Sequence, residues 1–74
     1  MIYAIGTTYT PTHPHDRTEY RILTGYDTPE GRSLIADEND ECYLDLDAAV
    51  FEMNRRAATD PHAEIDLTEY VHNA

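Results

Sequence analysis

Apolar and polar positions alternate towards both ends of the chain and switch to a helical spacing between them. Ile2, Tyr3, Ala4 and Ile5, with the Thr/Tyr run that follows to Thr10, are β-branched or aromatic and predict a first strand. Pro11-Thr12-His13-Pro14-His15-Asp16 ends it, because two prolines this close remove ladder donors. Thr18–Thr24 predicts a second strand, with Tyr20 and Ile22 on one face and Arg21 and Leu23 on the other. The two strands make an antiparallel hairpin with a long tip. Asp27-Thr28-Pro29-Glu30-Gly31 is a turn, and Ser33–Ala36 a short third strand.

Between Asp45 and Thr59 the spacing is that of a helix. Leu46, Ala49, Val50, Met53 and Ala57 fall at i, i+3, i+4, i+7 and i+11 and form one apolar stripe. Asp45 or Asp47 caps its N-terminus, where the macrodipole also favours an acid. Glu52 stands three and four residues before Arg55 and Arg56, the spacing of helix ion pairs. Asp60-Pro61 stops the helix. Alternation returns from Ala63 to His72. Ile65, Leu67 and Val71 point inward, and Glu64, Asp66, Thr68, Tyr70 and His72 outward.

The order is β-β-(β)-α-β: an α+β fold in which three to four strands form a small antiparallel sheet with one helix packed on one face. The other face meets solvent, which explains why only alternate strand positions are apolar. The 74 residues hold one domain, residues 1–74. A chain of this size buries only about 60% of the surface its unfolded form exposes. A deep catalytic pocket would compete for the same few apolar residues, so a non-enzymatic protein is expected.

Charge narrows the classes further. Fifteen Asp and Glu stand against five basic residues, all arginine, for a net charge of −10. That excludes direct nucleic-acid binding by charge and disfavours anionic membranes. With one cysteine, Cys42, no internal disulfide forms, and no long apolar run or targeting segment is read, so a soluble cytoplasmic protein is expected. The charge is also uneven. Residues 1–15 carry none, whereas 37–54 carry seven acids and no base.

Chemistry-bearing constellations are sparse. His13 and His15, with Cys42, are the nearest thing to a zinc set, but a second short-spaced ligand pair is missing, and solvated loop histidines are the plainer reading. Asp37-Glu38-Asn39-Asp40-Glu41 offers oxygen donors without the spacing and glycine of an EF-hand loop. No metal or other cofactor is expected. Cys42 lies among acids, which disfavour its thiolate, and Gly6, Gly25 and Gly31 are too far apart for a phosphate loop.

The acids themselves are the informative feature. They either solvate the chain, as in halophilic adaptation, or imitate phosphates. Absence of lysine fits the first reading; concentration of charge in one quarter of the chain fits the second. Along a strand, Glu64 and Asp66 would lie about 6.5 Å apart on one face. Asp45 and Asp47 sit at the helix start, beside the 37–41 run. A partner-binding surface of Asp37, Glu38, Asp40, Glu41, Asp45 and Asp47, flanked by Glu52, Glu64 and Asp66, would compete with DNA for a basic groove. Outward Tyr70 would supply an aromatic anchor.

Val50-Phe51-Glu52-Met53-Asn54-Arg55-Arg56-Ala57-Ala58, followed by a short acidic C-terminal strand, resembles the small acidic anti-CRISPR proteins of phages and mobile elements. The likeness is to a type I-F inhibitor with a Glu-Met-Asn…Ala-Ala helix after an N-terminal hairpin. It covers the C-terminal third and the order of elements; the Pro-His tip and the Pro29–Gly31 turn do not match. The resemblance implies no catalysis and binding to the DNA-recognition surface of a Cas effector subunit. The partner expected is thus a host nucleic-acid-binding protein. The alternative is an accessory module of a phage or halophilic genome that forms a homodimer through a sheet edge and whose acids only solvate it.

Overall fold

In the computed structural model, which describes residues 1–11, 16–37 and 39–73, the expected α+β architecture forms. β1 (Ile2–Thr10) and β2 (Arg17–Thr28) pair antiparallel over nine residues, from Ile2 opposite Gly25 to Thr10 opposite Arg17. A tight turn through Pro29 and Glu30 leads into β3 (Gly31–Ala36), which pairs antiparallel with β2. Gly31 takes φ 129°, a backbone region that residues with a Cβ rarely enter. After β3 the chain stays beside β2, where Tyr20 and Tyr43 exchange backbone hydrogen bonds of 2.7 Å.

α1 (Leu46–Ala57) is capped as the sequence predicts: the Asp45 carboxylate accepts from the Asp47 amide at 3.2 Å. Its stripe packs on one sheet face, where Met53 and Ala57 cluster with Tyr3 and Ile22, backed by Ile5, Tyr43, Val50 and Ala63. Ala49 is fully buried, while Leu46 at the stripe's start remains exposed.

The sheet is mixed, not antiparallel. β4 (Glu64–Ile65) and β5 (Tyr70–Asn73) both run parallel to β1, and the order across the sheet is β3-β2-β1-β4, with β5 also on β1. The reason is the crossover. β3 already runs in the direction of β1, and a helix between two strands returns the chain to its starting end, so the next strand is laid down parallel.

The C-terminal alternation is therefore not one strand. Tyr3 and Gly6 of β1 lie opposite Ile65 and Tyr70, so two extra residues bulge out between β4 and β5. An Asx turn holds the bulge, with the Thr68 amide donating to Asp66 Oδ1 at 2.9 Å. Leu67, expected inward, is 89% exposed on it. Ile65 and Val71 are likewise exposed at the sheet edge.

Nor is the sheet one-sided. Ile2 and Ala4 lie on the face away from the helix, yet they are buried. Three flat strand spacings would separate β3 from β4 by about 14 Å. Arg32 of β3 nevertheless reaches Glu64 of β4 at 2.9 Å and the shorter Asp66 just past it at 3.0 Å, as a strongly curled sheet allows. Gly25 allows the curl: a Cβ there would stand 1.7 Å from the Ser33 carbonyl oxygen. The curl carries the β2–β3 turn away from the helix and leaves Tyr26 and Ile35 exposed on the convex side. No helix among the described residues is long and apolar enough to cross a membrane.

Candidate functional site: the acidic surface

The acids expected to form one surface divide into two groups. The first is bound by arginines. Arg56 grips Asp40 through both terminal nitrogens, at 2.6 and 2.9 Å, and Glu52 through Nε at 3.0 Å. Arg55 takes the same Glu52 carboxylate with its Nε at 2.8 Å. Together they tie the loop after β3 to the side of α1. The Arg56 fork holds the Asp40 carboxyl below the usual carboxylate range, and hydrogen bonds from Arg55 and then Arg56 lower Glu52 to about 2.

Arg32 makes the second clasp. Its guanidinium meets Asp27 at 2.8 Å, Glu64 at 2.9 Å and Asp66 at 3.0 Å, joining β2 and β3 to the end of β4. Asp66 also accepts from the Tyr70 hydroxyl, and its side chain is only 9% exposed. Hydrogen bonds from Tyr70, Thr68 and Arg32 hold its carboxyl far below the ordinary range, and the same contact raises the Tyr70 phenol. Tyr70 does point away from the helix, as expected, but that face is the inside of the curl. It is half-buried and bound to Asp66, so it is not an outward anchor. Glu64 and Asp66 likewise do not form a free pair of charges, because Arg32 bridges both.

The second group faces solvent. Asp37, Glu41, Asp45 and Asp47 are exposed, and among the described residues none has an ion-pair partner. Asp37 and Asp45 use one oxygen each on local turns, toward the Asn39 and Asp47 amides. Asp37 and Glu41 flank the turn after β3, and Asp45 and Asp47 stand at the start of α1. The macrodipole there offsets part of their mutual repulsion. Glu38, His13 and His15 lie outside the described residues, as does the side chain of His72. Cys42 is half-buried with a free thiol.

Sequence reasoning missed a cavity next to this surface. It has a volume of about 370 Å³ and runs between α1 and the bulge after β4, lined by Ile5, Tyr20, Leu46, Val50, Met53 and Leu67 among others. Asp66-x-Thr68 was its signal, since Asp followed two residues later by a threonine amide makes a turn rather than a strand. Compared with known protein families, curated proteins and solved structures, the chain matches none.

Proposed function

We propose that the protein is a non-catalytic inhibitor that occupies a basic, nucleic-acid-binding surface of a host protein, foremost a Cas effector subunit. The observation that carries the reading is the division of the acids. Arg32, Arg55 and Arg56 are absorbed by Asp27, Asp40, Glu52, Glu64 and Asp66. Asp37, Glu41, Asp45 and Asp47 are left as uncompensated charge on one stretch of the chain. DNA offers a groove of lysines and arginines a dense row of single negative charges, and a folded acidic surface competes for the same cations. The Cas effector as target rests on the resemblance of the α1 sequence.

Competition tests it. A purified type I-F effector complex is mixed with labelled target DNA in a gel shift, and the protein is titrated in. Loss of the shifted band is expected, and the affinity of protein for effector should weaken roughly tenfold or more as salt rises from about 0.1 to 0.5 M, because surface charge pairs are screened. DNA binding that survives an excess of the protein removes the Cas effector as target. Association that holds or strengthens with salt favours the solvating or dimeric module instead.

A further inference from the structure

The cavity beside α1 has a form that the acidic surface alone does not require. Ile5, Tyr20 and Met53 make its floor, and Leu46 and Val50 its helix wall. The opposite wall is the two-residue bulge, which presents Leu67 almost wholly to solvent. A side chain exposed to this degree on a wall of an apolar groove has no part in holding the fold together.

Acids border both walls. On the helix, Val50 and Asp47 lie about 60° and 120° round from Met53 on the same side, so Asp47 rims the wall that Val50 lines. On the bulge, Tyr70 points to the inside of the curl, so its neighbour Glu69 turns to the groove side, and Glu69 lines the cavity. Among the described residues, no basic one lines it. Arg55 and Arg56 lie on the far flank of α1, bound to Glu52 and Asp40.

We infer that this groove is a docking site for a basic amphipathic helix of the partner, which seats a leucine-sized side chain between Val50 and Leu67 while its lysines or arginines meet Asp47 and Glu69. A volume of about 370 Å³ accommodates two or three such side chains. The charge pattern selects the occupant. A second copy of this acidic chain would bring like charges to the rim, and an acidic or neutral helix would leave Asp47 and Glu69 unanswered. The inference rests on the proposed function in one respect, that the partner is basic. It adds an apolar anchor, which distinguishes this partner from DNA-binding surfaces in general.

Two synthetic helical peptides, each about 14 residues long, test it. One carries leucines at i, i+3, i+4 and i+7 among lysines and alanines; the other has alanine in place of every leucine. Binding is followed by methyl NMR on the intact protein. The leucine peptide should bind at least roughly tenfold tighter than its control and shift the methyls of Leu46, Val50 and Leu67. Leu67→Ser, at a position that packs against nothing, should remove most of that advantage with the thermal midpoint unchanged. Equal binding of the two peptides overturns the groove while leaving the acidic surface standing. Binding of neither overturns both. Shifts that map to Tyr26 and Ile35, or methyl shifts that depend on protein concentration without peptide, place the apolar contact elsewhere or in a self-association and overturn the inference.

Discussion

A carboxylate beside a guanidinium is stabilised in its charged form, and here the residues so placed are those that close the fold. Asp66, Asp40 and Glu52 all have depressed carboxyl values in the folded chain. A depressed value contributes stability that is full above the unfolded value of about 4 and is lost as the pH falls through the folded one. The thermal midpoint should therefore decline as the pH drops below about 4 and keep declining to about 2, where Glu52 takes up its proton. Asp66→Asn should lower the midpoint at neutral pH, and the gap to wild type should narrow below about pH 4. A gap that is constant with pH would mean that the Arg32 clasp does not depend on the Asp66 charge. Thermal melts across the pH range decide it. Nothing in the sequence pattern marked Arg32, because a strand arginine at the second position after a turn looks like any solvated charge. Its role depends on the curl, which is a property of four strands together.

The same difference between local and assembled information runs through the elements. α1 was legible because its spacing, its Asp45 cap and its Glu52–Arg55/Arg56 pairs are all local. The β1–β2 hairpin and the Pro29–Gly31 turn were legible for the same reason. The parallel sense of β4 and β5 was not, since it follows from which strand the crossover returns to. The break between them was hidden by an alternation of Ile65, Leu67 and Val71 that imitates a strand. Gly25 did carry a signal, being a glycine within a strand. Gly25→Ala would drive a Cβ into the Ser33 carbonyl and should cost roughly 3 kcal/mol in a urea melt. An unchanged midpoint would show that the hairpin does not need its close approach there. At the helix start, Asp45→Ala should cost about 1 kcal/mol, and Asp45→Asn, which keeps the capping oxygen, much less. Equal losses for the two would assign the effect to charge and not to the cap.

For the molecule as a whole, a net charge of −10 on 74 residues is divided between two duties. Five acids are drawn into two arginine clasps, one fastening the loop after β3 to α1 and the other fastening the curled sheet across its hollow face. Of the exposed acids with no ion-pair partner among the described residues, Asp37, Glu41, Asp45 and Asp47 fall on one short stretch, while Asp16, Glu30 and Glu69 stand singly elsewhere. The sequence made this concentration visible but not its division, because a count of charges does not say which are answered. Asp40 illustrates the difference. It belongs to the same run as Asp37 and Glu41, yet its side chain is 17% exposed and doubly bonded to Arg56. A charge-reversal series that includes Asp40 would confound unfolding with loss of binding.

The most direct measurement is displacement of target DNA from the effector complex by two variants of matched charge loss. Asp37→Asn with Glu41→Gln and Asp47→Asn removes three outward charges and none of the clasps; Asp40→Asn with Glu52→Gln and Asp66→Asn removes three that hold the fold. The first should keep the wild-type thermal midpoint and weaken displacement by roughly tenfold or more. The second should lower the midpoint yet, below its own unfolding temperature, displace DNA nearly as well as wild type. Full displacement by the first variant would contradict the assignment of Asp37, Glu41 and Asp47 to the binding surface.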